Sequence, residues 1–435
     1  MEYTNENFEK FQQSIARSFD EGSLLWLLRD AIFVEAFYGK HSQKDIHTHL
    51  PYGDFFAYKY LQFQARKADS VSDTIDLTQN ASHFLFVSSR NNHINRLIPL
   101  LQEAQQTGQN CIAWVSDPSV IDMIPSELKF CIREITHCWT KYTKKKDLVL
   151  ARKLSADLTR ALPRQFTRRQ RKDITVYLVQ FFAWERFWKE AFQSAPTSLA
   201  TTFEKSAIAK AFFYAGYKEN VSTRIHWLHG LRHASLQATL STELWCMTSG
   251  DVRFFEDRVP DFCTPSVKQN PEAQELATAI GVLDPSSLCV DDPIHFLFLG
   301  PGLESSYNRE MRMADLSIIR KIQQKARSNI SWRFRPHPSA IERFRSELSE
   351  ASIEIQDFSN RHLHDDLKWS HAVGSSWSSL LLDIRETGRP IFWVQAEIRS
   401  LGAVNELIED GIGFHLTCEN CSKLLEYITG EKAKA

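Results

Sequence analysis

A chain of 435 residues exceeds the length at which a single hydrophobic core stops growing, so two domains of roughly 200 residues each are expected. With 43% hydrophobic and 24% charged residues, the composition is that of a folded globular protein and excludes a low-complexity or disordered chain. The formal net charge of -1 argues against a dedicated nucleic-acid binder, which would carry a basic excess.

Positive charge is nevertheless concentrated in Lys141–Lys146 and Arg164–Lys172. Each is either a solvated helix face or a contact for phosphate or an anionic membrane surface. The chain opens with the acidic MEYTNENFEK, not a basic and then apolar leader, and its richest apolar stretch, Val176–Phe192, is interrupted by Gln180, Glu185, Arg186, Lys189 and Glu190. A cytoplasmic location, peripheral at most to the inner membrane, is therefore expected. Eight scattered cysteines imply no disulfide framework. Cys418 and Cys421 have redox or metal spacing but no second pair nearby, so neither a metal site nor a bound cofactor is expected.

Residues 1–80 read as a helical, polar-amphipathic N-terminal extension without a motif. The first apolar run, Ser82–Val87, leads into the loop Ser88–His93 and a helical pattern over Asn95–Gln106. A second buried run, Asn110–Val115, completes a βαβ unit. After a basic helical stretch near 140–195 the alternation resumes, with strands at Ser198–Phe203, Thr223–Leu228 and Glu243–Met247 and a helix at Lys205–Lys218. The proline-rich segment 261–292 reads as a linker. It separates an N-terminal domain (81–260) from a C-terminal one (293–435). The second domain begins with Ile294–Leu299, a Gly300-Pro301-Gly302 loop and a long helix. Strands follow at Ile330–Phe334, Ile353–Phe358, His371–Gly374 and Pro390–Val394, with a helix from Ser378. Two alternating blocks predict two α/β domains with ligands at the carboxyl ends of their strands.

Two stretches carry the chemistry. In Ser331–Ser339 (SWRFRPHPS) a strand delivers Arg335 and is stopped by Pro336 and Pro338, which hold His337 in a rigid loop where an imidazole and a guanidinium can donate to phosphoryl oxygens. In His371–Ser379 (HAVGSSWSS) a strand runs through Gly374 into Ser375, Ser376 and a helix start, a pattern that serves either a single phosphate or simple capping. The helix then carries Asp383, a candidate acceptor for ribose hydroxyls or a solvated residue.

The RPHP and SS…LLLDIRETGRP pair, about forty residues apart, resembles the nucleotide site of bacterial GT-B glycosyltransferases that use CMP-sugars: sialyl or nonulosonic acid transferases and Kdo transferases of capsule and lipopolysaccharide synthesis. The resemblance implies an α/β GT-B fold, two Rossmann-like domains facing across a cleft. It implies donor contacts from Arg335, His337, Pro338, Gly374, Ser375, Ser376 and Asp383, with Gly300 and Gly302 beside them. The N-terminal loop bearing Asn91, Asn92 and His93 would face the acceptor, and Glu204 or His229 would serve as catalytic base. The acidic Asp-Gly triplet that sialyltransferases carry in the N-terminal domain is missing; Glu409-Asp410-Gly411 lies in the other one. The implied partners are a CMP-sugar co-substrate and a glycan or lipid-linked oligosaccharide acceptor, with no nucleic acid. A CDP-polyol phosphotransferase and a non-catalytic nucleotide- or glycan-binding subunit are the alternatives.

Overall fold

The structure, a computed structural model, describes residues 5–38, 59, 81–87, 91–135, 139–162, 166–192, 196–202, 206–228, 238–284, 293–302, 309–325, 330–396 and 404–429. The chain forms two compact units. The N-terminal unit comprises Met1–His229 and His233–Lys268, and the C-terminal unit Gly230–Arg232 and Gln269–Ala435.

The N-terminal unit holds an all-parallel sheet of seven strands: β1 (His83–Val87), β2 (Cys111–Val115), β3 (Ile132–Glu134), β4 (Ser198–Thr201), β5 (Thr223–Trp227), β6 (Glu243–Cys246) and β7 (Thr264–Val267). Their order is β3-β2-β1-β4-β5-β6-β7, the doubly wound arrangement in which strand order reverses between β1 and β4. Every residue of β2 is buried, as a parallel strand covered on both faces requires, and this is why such strands read as unbroken apolar runs.

A long helix, Arg168–Ala191, runs through this core. Its start is fixed by reciprocal capping: the Gln170 N–H donates to the Thr167 hydroxyl at 3.2 Å, and the Thr167 N–H donates to the Gln170 side-chain Oε1 at 2.8 Å. Trp188 of this helix meets Trp114 of β2 edge-on at 5.7 Å and Phe212 at 4.8 Å, and its indole N–H donates to the Ile208 carbonyl at 3.0 Å.

The first helices are not an appendage. Asn5–Ser18, Leu24–Leu27 and Arg29–Tyr38 contribute Phe8, Phe11, Ile15, Leu27, Ile32 and Phe33 to the same core. Asp30, fully buried, pairs with the equally buried Lys210 at 3.1 Å, and the Lys210 ammonium also donates to the Thr239 hydroxyl at 3.1 Å. The segment read as an extension thus belongs to the unit as far as Tyr38.

The segment 261–292, expected as a linker, contains structure. Pro265 lies in β7, where an edge position tolerates a missing N–H, and Pro271 is the first residue of the helix Pro271–Ile280. The chain passes from one unit to the other between Lys268 and Gln269.

The C-terminal unit holds six parallel strands: β8 (Ile294–Leu299), β9 (Ile330–Arg335), β10 (Asp357–Phe358), β11 (Ala372–Ser375), β12 (Ile391–Val394) and β13 (Phe414–Leu416). Their order, β10-β9-β8-β11-β12-β13, repeats the doubly wound pattern with its reversal between β8 and β11. The core gathers Phe296, Phe298, Trp332, Phe334, Phe344 and Phe392. Two glycines are demanded by space. A Cβ on Gly374 would lie 2.7 Å from the Phe296 ring, and one on Gly388, at φ +68, would lie 2.4 Å from the Leu283 carbonyl oxygen. Among the described residues, no helix is long and apolar enough to cross a membrane.

Candidate nucleotide site in the C-terminal unit

Where strand order reverses in an open α/β sheet, the loops leaving neighbouring strands diverge and open a crevice at the carboxyl edge. Strands β8 and β11 flank that point here, with β9 beside β8. They end, respectively, in Gly300-Pro301-Gly302, Ser375-Ser376 and Pro336-His337-Pro338. Three of the segments singled out by their sequence therefore meet at one end of one sheet.

The loops are tied together. The Gly300 N–H donates to the Arg335 carbonyl at 2.8 Å, and Nη2 of Arg343 donates to the carbonyls of Pro301 and Gly302 at 3.0 and 2.8 Å. Gly302 lies against the imidazole of His337: a Cβ there would sit 3.5 Å from three ring atoms. His337 is exposed and precedes the short turn Pro338–Ala340. Its Nδ1 accepts from the Ser339 N–H at 3.2 Å and meets the Ser339 hydroxyl at 2.8 Å. An Nδ1 that accepts a backbone N–H places the proton of the neutral ring on Nε2, which makes Nε2–H the donor of this imidazole.

Arg335 is held from below. Its Nη1 donates to Asp366 at 2.7 Å and to the Arg361 carbonyl at 2.7 Å, while Nε and Nη2 make no hydrogen bond among the described residues. Asp366 is fully buried and also accepts from Arg333 at 3.2 Å and from the Ser359 hydroxyl at 2.7 and 2.6 Å. Arg333 and Arg361 in turn bond Asp357 of β10. Partial burial would raise the Asp357 pKa, but the hydrogen bonds from Arg361 and Arg333 outweigh it and hold the carboxyl below the ordinary range.

The serine loop differs from its expected form. Ser375 is fully buried, and its hydroxyl donates to the Leu299 carbonyl at 2.8 Å and accepts from the Trp377 N–H at 3.2 Å. That hydroxyl is committed to the join between β11 and β8. Ser376 is buried as well, and its carbonyl accepts from Nε2 of Gln395 at 2.7 Å. Oε1 of Gln395, fully buried at the end of β12, has no hydrogen-bond partner among the described residues. The helix expected from Ser378 spans only Leu380–Ile384, too short for its terminus to act as an anion site. Asp383, on that helix, accepts from Nδ2 of Asn270 at 2.6 Å.

On the N-terminal unit, Asn91, Asn92 and His93 form the first turn of the helix Asn91–Gln106, where an open loop was expected. Glu204 and His229 lie outside the described residues. Sequence reasoning missed Arg343, Asp366 and Gln395, which carry no local motif. Only the carboxyl-edge position of Gln395, directly after the apolar run of β12, signalled it.

Comparison with known proteins gives no matching family model and no matching curated protein. Solved structures do match. A UDP-GlcNAc 2-epimerase from Neisseria meningitidis bound to UDP-GlcNAc is 11% identical, with 80% of this chain and 93% of that chain covered and a TM-score of 0.51. A Listeria monocytogenes protein named as a UDP-N-acetylglucosamine 2-epimerase is 12% identical over 81% and 89%, also at 0.51. Acinetobacter baumannii MurG is 11% identical over 81% and 90%, at 0.42. At these identities the likeness is one of fold, and the fold is that of GT-B proteins: α/β, built from two Rossmann-like domains.

Proposed function

We propose that the chain is a GT-B glycosyltransferase whose C-terminal unit holds the nucleotide of an activated sugar. The observation that carries this reading is the convergence of the Gly300–Gly302, His337 and Ser375-Ser376 loops at the strand-order reversal between β8 and β11. In the reaction proposed, an acceptor hydroxyl oxygen bonds to the anomeric carbon as the bond from that carbon to the leaving phosphate breaks. The hydroxyl proton passes to a base of the N-terminal unit, for which Glu204 and His229 are the candidates. Negative charge grows on the leaving phosphate, and His337 Nε2–H and the outer nitrogens of Arg335 are the donors that stabilise it.

For the nucleotide, the His-Pro and Ser-Ser segments support CMP, carrying a 2-keto sugar acid such as a sialic acid or Kdo. A second reading, a UDP-sugar, is favoured by the Neisseria meningitidis neighbour, whose structure holds UDP-GlcNAc. Thermal melting of the full chain with CMP, CDP, UDP and GDP separates them, since a ligand that binds only the folded state raises its stability by mass action. Protection by CMP is expected. Protection by UDP alone moves the donor to a UDP-sugar, and protection by none of the four removes the nucleotide site. Incubation with the protecting donor and an acceptor glycan, followed by mass analysis, then distinguishes a transferred sugar from a transferred polyol phosphate.

A further inference from the structure

In the N-terminal unit the helix Lys145–Ala161 packs by one face against the helix Arg168–Ala191. Asp147 accepts from the Lys144 N–H at 2.6 Å and from Arg186 through Nη1 at 3.0 Å and through Nη2. Leu148, Ala151, Ser155 and Leu158 are buried, and the Ser155 hydroxyl donates to the Arg171 carbonyl at 3.1 Å. The outer face is different. Val149 and Leu150 are 50% and 42% exposed, and with Lys145, Lys146 and Lys153 they line a shallow hollow. None of these three lysines has an ion-pair partner among the described residues. Asp147, the one acid between Lys141 and Lys153, is turned inward to Arg186.

Two features of this face work against the stability of the free protein. Adjacent branched aliphatics stand in water at mid-helix. Cations also crowd a helix N-terminus, Lys144 at its cap and Lys145 and Lys146 in its first turn, where the macrodipole favours anions. The neighbouring helix also opens with exposed cations, Arg168, Arg169 and Arg171, and unlike the first, which has Asp147, it carries no acid in its first turn. Both costs disappear against a surface that is negatively charged and apolar just beneath.

We propose that this face docks the protein on an anionic lipid bilayer. The sequence alone pointed to charge; the exposed aliphatic pair framed by that charge is what selects the partner. Val149 and Leu150 would enter the headgroup boundary while the lysines, on flexible stems, reach the lipid phosphates. An acidic protein partner would call for arginine and aromatic anchors, whereas lysine is depleted from protein interfaces. A nucleic acid would leave the aliphatic pair without a role. The proposal is independent of the reading of the nucleotide site.

Co-sedimentation of the full chain with phosphatidylcholine vesicles, with and without phosphatidylglycerol, tests it. Binding is expected only with phosphatidylglycerol and should weaken with salt. Each of Lys145→Gln, Lys146→Gln and Lys153→Gln should lower the partition about fivefold. Val149→Ser with Leu150→Ser should lower it further at unchanged charge. All five positions are exposed, so melting should stay at or slightly above the parent's, and nucleotide protection should match it. No binding to phosphatidylglycerol vesicles, or binding unaffected by either set of changes, overturns the proposal. So does lysine-dependent binding to single-stranded DNA or polyglutamate in place of vesicles.

Discussion

The two sheets share one winding and part company at their carboxyl edges. In each, a hydroxyl residue ending the fourth strand faces the first strand and donates to its register partner: Thr201 to the Phe86 carbonyl at 2.9 Å, Ser375 to the Leu299 carbonyl at 2.8 Å. The same bond closes both reversal points. Beyond it, the N-terminal sheet receives one of its own cations, because the buried Arg96 on the helix after β1 donates to the carbonyl of Leu228, just past β5. The C-terminal sheet instead presents an exposed imidazole and a guanidinium anchored by one nitrogen. Identical topology therefore does not furnish the two edges alike: among the described residues, Arg96 is tied to backbone at one edge, and His337 stands exposed at the other.

The strongest test of that contrast is His337→Ala. Removing a donor aimed at a developing anion commonly costs about 2.7–4 kcal/mol of transition-state stabilisation, so release of nucleotide from the donor should fall a hundredfold or more. Melting should barely move, because the side chain is exposed and a cap of this kind is worth about 1 kcal/mol. Normal turnover with early melting would make the His-Pro loop scaffolding and erase the difference between the two edges.

A smaller effect addresses the shared bond. Ser375→Ala and Thr201→Val each leave a buried carbonyl without its hydroxyl donor, at a cost of about 1–3 kcal/mol. Both should lower the melting temperature by similar amounts, and Ser375→Ala should spare turnover. A large turnover loss at Ser375 with unchanged melting would show that this serine serves the ligand and that the two hydroxyls are not the same device.

Much of the fold was legible because strands buried on both faces leave near-continuous apolar runs: Ile294–Leu299, interrupted only by His295, and Cys111–Val115 are among the clearest. Residues 5–38 were misjudged because their apolar side chains are interleaved with polar ones, and only tertiary packing reveals that Phe11 and Phe33 lie in the main core. The strand-end position of His337 was legible because flanking prolines announce it; its role is a proposal. The role of Ser375 was not: a hydroxyl that binds a neighbouring strand and one that binds phosphate have the same sequence. Asp366 stands far from the arginines it anchors, in a stretch with no pattern that betrays a buried carboxylate.

The smallest effect concerns the sheet edges. In the C-terminal unit the edge strand β10 is joined to β9 by Asp357, which accepts from Arg333 at 2.8 Å and from Arg361 at 2.9 and 2.8 Å. The corresponding edge strand of the N-terminal unit, β3, carries Arg133, whose guanidinium donates to the carbonyls of Phe130 and Ile132 at 2.9 and 2.7 Å. Asp357 is the titrating member of the β10 cluster. Its folded pKa lies below the ordinary aspartate value of about 3.9, so its stabilising contribution is fully present above that value. That contribution is lost as pH falls through the folded pKa. Acid should therefore loosen the β10 edge. Hydrogen exchange compared between mildly acidic and strongly acidic buffer should show protection of Phe358 and its neighbours falling with pH. Asp357→Asn should remove this part of the pH dependence, at the cost of weaker protection at neutral pH. If parent and variant lose protection along the same acid profile, the Asp357 carboxylate is not what holds the β10 edge.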